Sequence, residues 1–443
     1  MKRKLISLLQ HTLKQLARLT IWRFRPGIIG VTGSVGKTSA KMAVAAVVGA
    51  ERHVRWAKGN ANNELGLPLA ILGDWSDGEW RLVSRDQEAG KKLARKFLFW
   101  VKVIALSSFR IIAGRRAQYP EILVLEYGAD RPGDLRELLS IARPNVSVIT
   151  AVGEIPVHVE FYAGAEEVAR EKARLIECLP SASFAILNAD DKSVMKVADR
   201  TRAHVMTYGF GEDAEVRITG FEHRVQGDRP VGIFFKLEYG GSFVPVRIEG
   251  VLGESNAYAA AAAACTGLIF GMNLVSISEA LSLYRPAHSR MELVEGIKES
   301  LIIDDAYNAS LLSMQAALRA LRDLPGKRKI AVLGDMLELG AYATDAHERI
   351  GKLVPKSADA LIAIGPRAKF IAEAARDAGM QKRAIRTFDT ADDAKGEVRD
   401  LVKKGDLVLV KASRGMHLEI VVEEISQPKE LRAVIANSAN IAK

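Results

Sequence analysis

The chain has 443 residues, 48% of them hydrophobic, 26% charged and 6% aromatic. That composition excludes a disordered, collagen-like or polytopic membrane protein, and the length predicts two or three domains. Two cysteines, Cys178 and Cys265, are too few for a disulfide framework or a Cys-rich zinc site and fit a reducing cytoplasm. The net charge of +10 suggests nucleic acid until it is mapped. Residues 1–25 carry seven basic side chains and residues 91–116 carry eight, both without an acid, so the remainder stands at −5. Basic residues mixed with Leu, Phe and Trp in two segments fit an anionic membrane surface better than a nucleic acid.

In chain order, residues 1–25 read as one helix, with Leu5, Leu9, Leu13 and Leu16 at three-to-four spacing and Arg25-Pro26 ending it. Gln10, His11, Lys14 and Gln15 interrupt any signal-peptide core. This helix either packs on the domain or lies on a membrane surface. A strand over 27–32, a glycine-rich turn and a helix from about Lys37 follow. The apolar run 97–113 contains Lys102 and Arg110 and falls short of the roughly 20 apolar residues of a bilayer span. It is expected to lie at an interface, with a buried helix or a dimer contact as the alternative. Strands over 121–126, 146–150 and 184–188 alternate with helical stretches, the rhythm of a parallel α/β sheet. Residues 214–249 hold short β-rich runs (232–239, 243–248) and read as an antiparallel appendage. An Ala-rich helix over 256–268 comes next. After a break near Tyr284-Arg285-Pro286, a second α/β rhythm places strands at 301–305, 329–333, 360–364 and 407–411.

The sharpest motif is Gly30-Val-Thr-Gly33-Ser34-Val-Gly36-Lys37-Thr38-Ser39, between strand and helix. A polyphosphate needs several backbone N–H donors in a small concavity, and glycines let the chain wrap that closely. The helix N-terminus adds positive potential, Lys37 can neutralise β/γ-phosphate oxygens, and Thr38 can place a hydroxyl on Mg²⁺. Val31 stands where the strict spacing asks for glycine, so the match is to a variant phosphate loop. Glu126 ends an apolar strand, where a metal-holding acid belongs beside such a loop. Three later strand ends carry polar turns at the edge where open α/β sheets bind ligands: Asp304-Asp305-Ala-Tyr307-Asn308, Gly334-Asp335-Met-Leu-Glu338-Leu-Gly340 and Lys411-Ala-Ser413-Arg414-Gly415. Two acids at one strand end suit a ribose or a metal. Residue chemistry alone singles out neither His158 nor Lys172.

Taken in order with Gly59-Asn60-Ala-Asn62-Asn63-Glu64-Leu-Gly66-Leu-Pro68, Glu126-Tyr-Gly-Ala-Asp-Arg-Pro-Gly133, Asn188-Ala-Asp190-Asp191 and Ser289-Arg290-Met-Glu292, these segments resemble the Mur ligase family from about Gly27 to the end. The resemblance implies a central P-loop ATPase domain with a parallel sheet over 27–286, carrying 91–116 as an insertion. A C-terminal Rossmann-like domain over 287–443 would follow it, and the basic helix 1–26 would precede it. It implies an ATP-dependent carboxylate–amine ligase acting through an acyl phosphate. Gly33, Ser34, Gly36, Lys37, Thr38 and Ser39 would hold the phosphates. Thr38 and Glu126 would ligate one Mg²⁺ and His158 a second, with Lys172 as a carbamylated lysine beside them. Asn256 and Arg290 look like nucleotide contacts and Asp305 like the ribose acid. Asn60, Asn62 and Asn63 would face the carboxylate substrate, with Asn308, Lys411, Ser413 and Arg414 on the substrate side of the second domain. The implied partners are a UDP-muramoyl-peptide and D-Ala-D-Ala or a similar amine, in cell-wall precursor synthesis in the cytoplasm, at the inner membrane face if 1–25 and 91–116 bind lipid.

Several departures stand out. Only the basic helix precedes the loop, where the family carries a UDP-sugar domain. Ala151 replaces an Asn, the 153–158 turn looks longer than usual, Ser255 replaces a His, Ala259 an Asn, and Ser310-Leu311 replace a Pro-containing turn. Two other readings stay open: a ligase with a different acceptor (a lipid-linked peptide, or folate-type glutamate ligation), and a nucleotide-binding membrane scaffold.

Overall fold

A computed structural model describes residues 2–57, 59, 61–83 and 93–427. The first sheet has nine strands: β1 (Gly27–Thr32), β2 (Val54–Trp56), β3 (Ile122–Glu126), β4 (Val146–Ile149), β5 (Phe184–Asn188), β6 (His204–Gly209), β7 (Val216–Gln226), β8 (Arg229–Tyr239) and β9 (Ser242–Glu249). Their order is β2-β3-β1-β4-β5-β6-β7-β8-β9. Pairing is parallel from β2 through β7 and antiparallel across β7-β8-β9. The expected antiparallel appendage over 214–249 is therefore a continuation of the main sheet. Two contacts, Tyr208 with Val216 and Gly209 with Arg217, hand the sheet from β6 to the hairpins.

The second sheet contains β10 (Glu292–Glu295), β11 (Leu301–Asp305), β12 (Lys329–Gly334), β13 (Ala360–Ile364), β14 (Ile385–Phe388) and β15 (Leu407–Lys411). Its order is β10-β11-β15-β12-β13-β14, with β10 alone antiparallel. β3, β11, β13 and β15 are buried at every position, as expected of parallel strands covered on both faces.

The phosphate-turn helix, Lys37–Gly49, packs on the alanine helix, Glu254–Ile269. Ala257 and Ala259 through Ala264 are buried, and a Cβ on Gly267 would lie 2.8 Å from Val47. Small side chains let these two backbones approach closely.

The amino-terminal helix, Lys2–Phe24, packs against the domain through Leu13, Ala17 and Phe24. Leu13 shares a cluster with Phe99 and Val103 of the insertion helix, Leu93–Ala113. Lys91 and Lys92 of the basic segment lie outside the described residues. Among the described residues no helix is long and apolar enough to cross a membrane.

Candidate active site

The carboxyl ends of three adjacent strands meet at one place. β1 pairs with β3 and β4 in a register that sets Val31 beside Glu126 and Thr32 beside Ile149. The turn after β1, the side chain ending β3 and the loop after β4 are thereby neighbours.

The turn follows its glycines. Gly33 has φ 149° and Gly36 φ 84°, and a Cβ on Gly33 would stand 2.0 Å from Thr150 Oγ1. Thr150 Oγ1 donates to Val35 O (2.6 Å), and Ser34 N (2.6 Å) and Val35 N (3.1 Å) both donate to Ala151 O. Two turn amides are thus committed to the β4 loop. The first amides of helix Lys37–Gly49 have no acceptor within the helix, and no side chain caps that end. They and the helix dipole form an anion-binding terminus. Lys37 Nζ folds back onto Gly33 O (2.8 Å), and its burial lowers its pKa.

Glu126, 1% exposed, is the hub. Its Oε2 accepts from Thr38 Oγ1 (3.1 Å) and lies 3.2 Å from Lys41 Nζ. Its Oε1 accepts from Asn62 Nδ2 (3.1 Å). Burial pushes this carboxyl upward, but Lys41 and Lys37 outweigh it and hold the group below the usual carboxylate range. Lys41 Nζ also donates to Gly59 O (2.9 Å), tying the phosphate-turn helix to the chain just before Asn62. Sequence reasoning passed over Lys41. The signal was a lysine followed only by Met, Ala, Val and a final Gly on a helix whose side chains pack inward, where an unpaired buried lysine is rare.

His158 stands on the loop after β4 with φ 69°. Its Nε2 lies 3.3 Å from Asp130 Oδ1 and its Nδ1 2.6 Å from Glu338 Oε2. Glu338, itself at φ 63°, follows β12 of the second domain. Two residues in strained left-handed geometry therefore meet across the domain junction. Beside them Arg349 forms a forked pair with Glu154 (2.8 and 3.1 Å). The sequence places Glu338 in a polar turn at the ligand edge and Asp130 in the segment after β3, but it does not pair either with His158, because the contacts are long-range.

Lys172 is 1% exposed on helix Ala165–Glu177. Burial, with Lys37 nearby, lowers its pKa to about 7 against the opposing pull of Asp130, Glu171 and Asp134. Glu171 is engaged separately, accepting from Gly133 N (3.1 Å) and Leu135 N (3.0 Å).

In the second domain, β11 and β15 pair Asp305 with Lys411. Lys411 Nζ donates to Asp305 Oδ2 (2.6 Å) and to Asn308 O (2.9 Å). Burial raises Asp305 and lowers Lys411, and each counteracts the other's shift. Burial also carries Asp304, which accepts from Ser289 Oγ (2.8 Å), to about 6. The guanidinium groups of Arg290 and Arg414 lie over the Tyr307 ring, 4.0 and 5.0 Å from its centre.

Between the two sheets lies a cleft of about 610 Å³. Ser34, Gly36 and Ser39 line one side, and Arg290, Asp305, Asn308 and Lys411 the other. Several sequence expectations are placed differently. Asn256 is buried off this lining, with Nδ2 donating to Leu252 O (3.0 Å). Asn63 turns its amide oxygen to Leu65 N and Gly66 N, capping the next helix. Ser413 Oγ accepts from Leu337 N (2.9 Å); it and Arg414 are not among the cleft-lining residues, and neither are Lys37, Thr38, Glu126, His158 and Lys172. Asn60 lies outside the described residues.

An anion-gripping turn, a buried ionised acid and a second domain closing over both define an enzyme that spends a nucleotide on group transfer. Residues 109–267 match the model of the Mur ligase middle domain, and residues 289–414 that of the Mur ligase glutamate ligase domain. The UDP-N-acetylmuramoyl-tripeptide–D-alanyl-D-alanine ligase of Bacillus subtilis is 30% identical over 415 residues, covering 93% of this chain and 79% of its own length. The ligase of the same name from Synechocystis is 30% identical over 408 residues, covering 91% and 75%. The crystal structure of a MurF ligase from Thermotoga maritima in complex with ADP aligns with a TM-score of 0.74 at 27% identity, covering 94% of this chain and 83% of that one. The chain belongs to the Mur ligase family and is an ATP-dependent ligase.

Proposed function

We propose that the enzyme joins D-alanyl-D-alanine to a UDP-N-acetylmuramoyl-tripeptide, using ATP, in peptidoglycan precursor synthesis. The observation that carries this reading is the Glu126 hub. One carboxylate is bonded to Thr38 and Lys41 of the phosphate-turn helix and to Asn62 of the turn assigned to the carboxylate substrate. The reacting oxygen and the γ-phosphate would meet above it.

The chemistry balances in two steps. A peptide carboxylate oxygen attacks the γ-phosphorus and ADP leaves, forming an acyl phosphate. The dipeptide's amine then attacks the acyl carbon, and phosphate and a proton leave. Lys37 and the open helix terminus would stabilise charge on the transferring group by position and electrostatics. Arg290, stacked on Tyr307, would reach the nucleotide from the second domain, and Asp305 and Lys411 would orient ligands across the cleft. Contact between Glu338 and His158 would keep the domains closed and water out.

The donor set suits Mg²⁺, a hard cation that keeps several waters and takes one or two protein carboxylates. Thr38 and Glu126 offer hard oxygens already 3.1 Å apart, and Glu126 is held ionised. His158 with Asp130 offers a second position. Bound Mg²⁺ would neutralise phosphate oxygens there. Lys172, with its pKa near 7, supplies the neutral amine needed to add CO₂, losing one proton as the carbamate forms. We further read residues 1–25 and 91–116 as peripheral contacts with the inner membrane face.

The test is a panel of UDP-muramoyl-peptides with ATP and D-Ala-D-Ala, read by product mass. A product heavier by one dipeptide with equimolar phosphate release supports the reading. Turnover with glutamate or another amine alone refutes the assigned substrate, and no turnover with any acceptor refutes the ligase.

A further inference from the structure

The insertion helix Leu93–Ala113 is apolar on two opposite faces. One face, Phe99, Val103 and Ser107, is buried against the domain. The other carries Leu98, Val101, Ala105, Phe109 and Ile112, spaced by three and four residues, and all five are exposed. Ile112 is 82% exposed, Phe109 67% and Leu98 64%. A helix on a water-facing surface normally turns polar residues outward. The amino-terminal helix lies alongside in the same direction. Leu13 shares the cluster of Phe99 and Val103, and Arg23 donates to Gly114 O (3.4 Å) beyond the far end of the insertion helix. It exposes Leu8, Leu19 and Trp22. Of the nineteen exposed large hydrophobic residues described, nine lie on these two helices. The exposed apolar surface is concentrated there.

Charge decides what covers it. Arg18, Arg95, Arg115 and Arg116 sit around the apolar stripe, neither segment contains an acid, and Lys102 at its edge is paired with Glu79 (2.5 Å). Such a surface repels a second copy of itself. An aromatic-aliphatic stripe flanked by Lys and Arg, with a tryptophan at one end, matches an anionic bilayer, whose headgroups attract the cations while the acyl boundary takes the stripe. We propose that these paired helices form a platform that lies flat on an anionic phospholipid surface, with the outer stripe 98–112 and Trp22 entering the headgroup–acyl boundary. The platform rests on the membrane part of the proposed function and is independent of the ligase part.

The experiment uses the full chain and sucrose-loaded vesicles, either pure phosphatidylcholine or the same lipid with phosphatidylglycerol. The bound fraction should rise at least tenfold with the anionic lipid and fall as salt is raised from about 0.1 to 0.5 M. Trp22 emission should shift to the blue on binding, and Trp22→Phe should lose that shift. The triple variant Val101→Ser, Phe109→Ser, Ile112→Ser alters exposed positions only. It should keep the wild-type melting temperature and soluble-substrate turnover while losing at least tenfold in vesicle binding. Equal sedimentation with and without lipid overturns the platform, as does lipid binding that the triple variant retains. A concentration-dependent dimer that the triple variant abolishes also overturns it and reassigns the stripe to self-association. Loss of ligase turnover with intact vesicle binding would leave the platform standing.

Discussion

Carbamylation of Lys172 turns on how much neutral amine the fold supplies. An ordinary lysine with a pKa of 10.5 is neutral in about one molecule in three thousand at pH 7. With a pKa of about 7, Lys172 is neutral in about half of the molecules at pH 7 and about nine-tenths at pH 8. Burial thus raises the reactive fraction about a thousandfold. Titration with ¹³C-bicarbonate should give a carbonyl resonance that grows between pH 6 and 8 and is absent from Lys172→Ala. The same shift has a thermodynamic face. Between about pH 7 and 10.5 the unfolded chain holds more protons than the folded one, so this lysine's contribution to stability rises with pH across that window. Its cost is fully present below pH 7 and relieved towards pH 10.5. The shift corresponds to a ceiling of about 5 kcal/mol. In bicarbonate-free buffer, Lys172→Met should therefore raise stability in urea at pH 7 and flatten its dependence on pH. A resonance unchanged in Lys172→Ala, or parallel stability profiles for wild type and Lys172→Met, would refute the reasoning.

Other expectations follow from the same pocket. Lys37→Ala should lower amine-dependent phosphate release by about a hundred- to a thousandfold while the melting temperature holds; retained product formation removes Lys37 from the phosphate site. Lys41→Met strands the Glu126 charge and should cost about 3–5 kcal/mol in urea unfolding. Adding Glu126→Gln should recover part of that loss, and strictly additive costs would mean the two side chains do not interact. Gly33→Ala pushes a methyl against Thr150 Oγ1 and should weaken ADP binding in calorimetry more than it lowers stability; unchanged affinity would show that the turn tolerates the shift.

The phosphate turn was legible because its conformation demands glycine at Gly33 and Gly36 and its chemistry demands Lys37-Thr38. The strands buried on both faces were legible as continuous apolar runs. β6 was not, because His204, Thr207 and Tyr208 break up its apolar run. Nor was the continuity of the hairpins with the main sheet, which depends on the short β6–β7 pairing. Within the site, residue type pointed to Glu126 and Asp305, but side-chain direction did not follow from it. Asn63 caps a helix and Asn256 faces the interior, choices made by packing. The partners of Lys41, Asp130 and Glu338 were illegible for a related reason: each is acquired only when segments distant in the chain are brought together.

The smallness of the side chains between the phosphate-turn helix and the alanine helix has a mechanical consequence. Alanine has no rotamers and the facing valines, Val47 among them, are stiff at χ1, so that contact has little to re-pack when one helix is displaced. Added bulk at Ala260 or Gly267 must move a whole helix and, with it, the donors at Gly36–Thr38. Nucleotide affinity should therefore be more sensitive to a single methyl group at this remote seam than to larger changes on the solvent side of either helix.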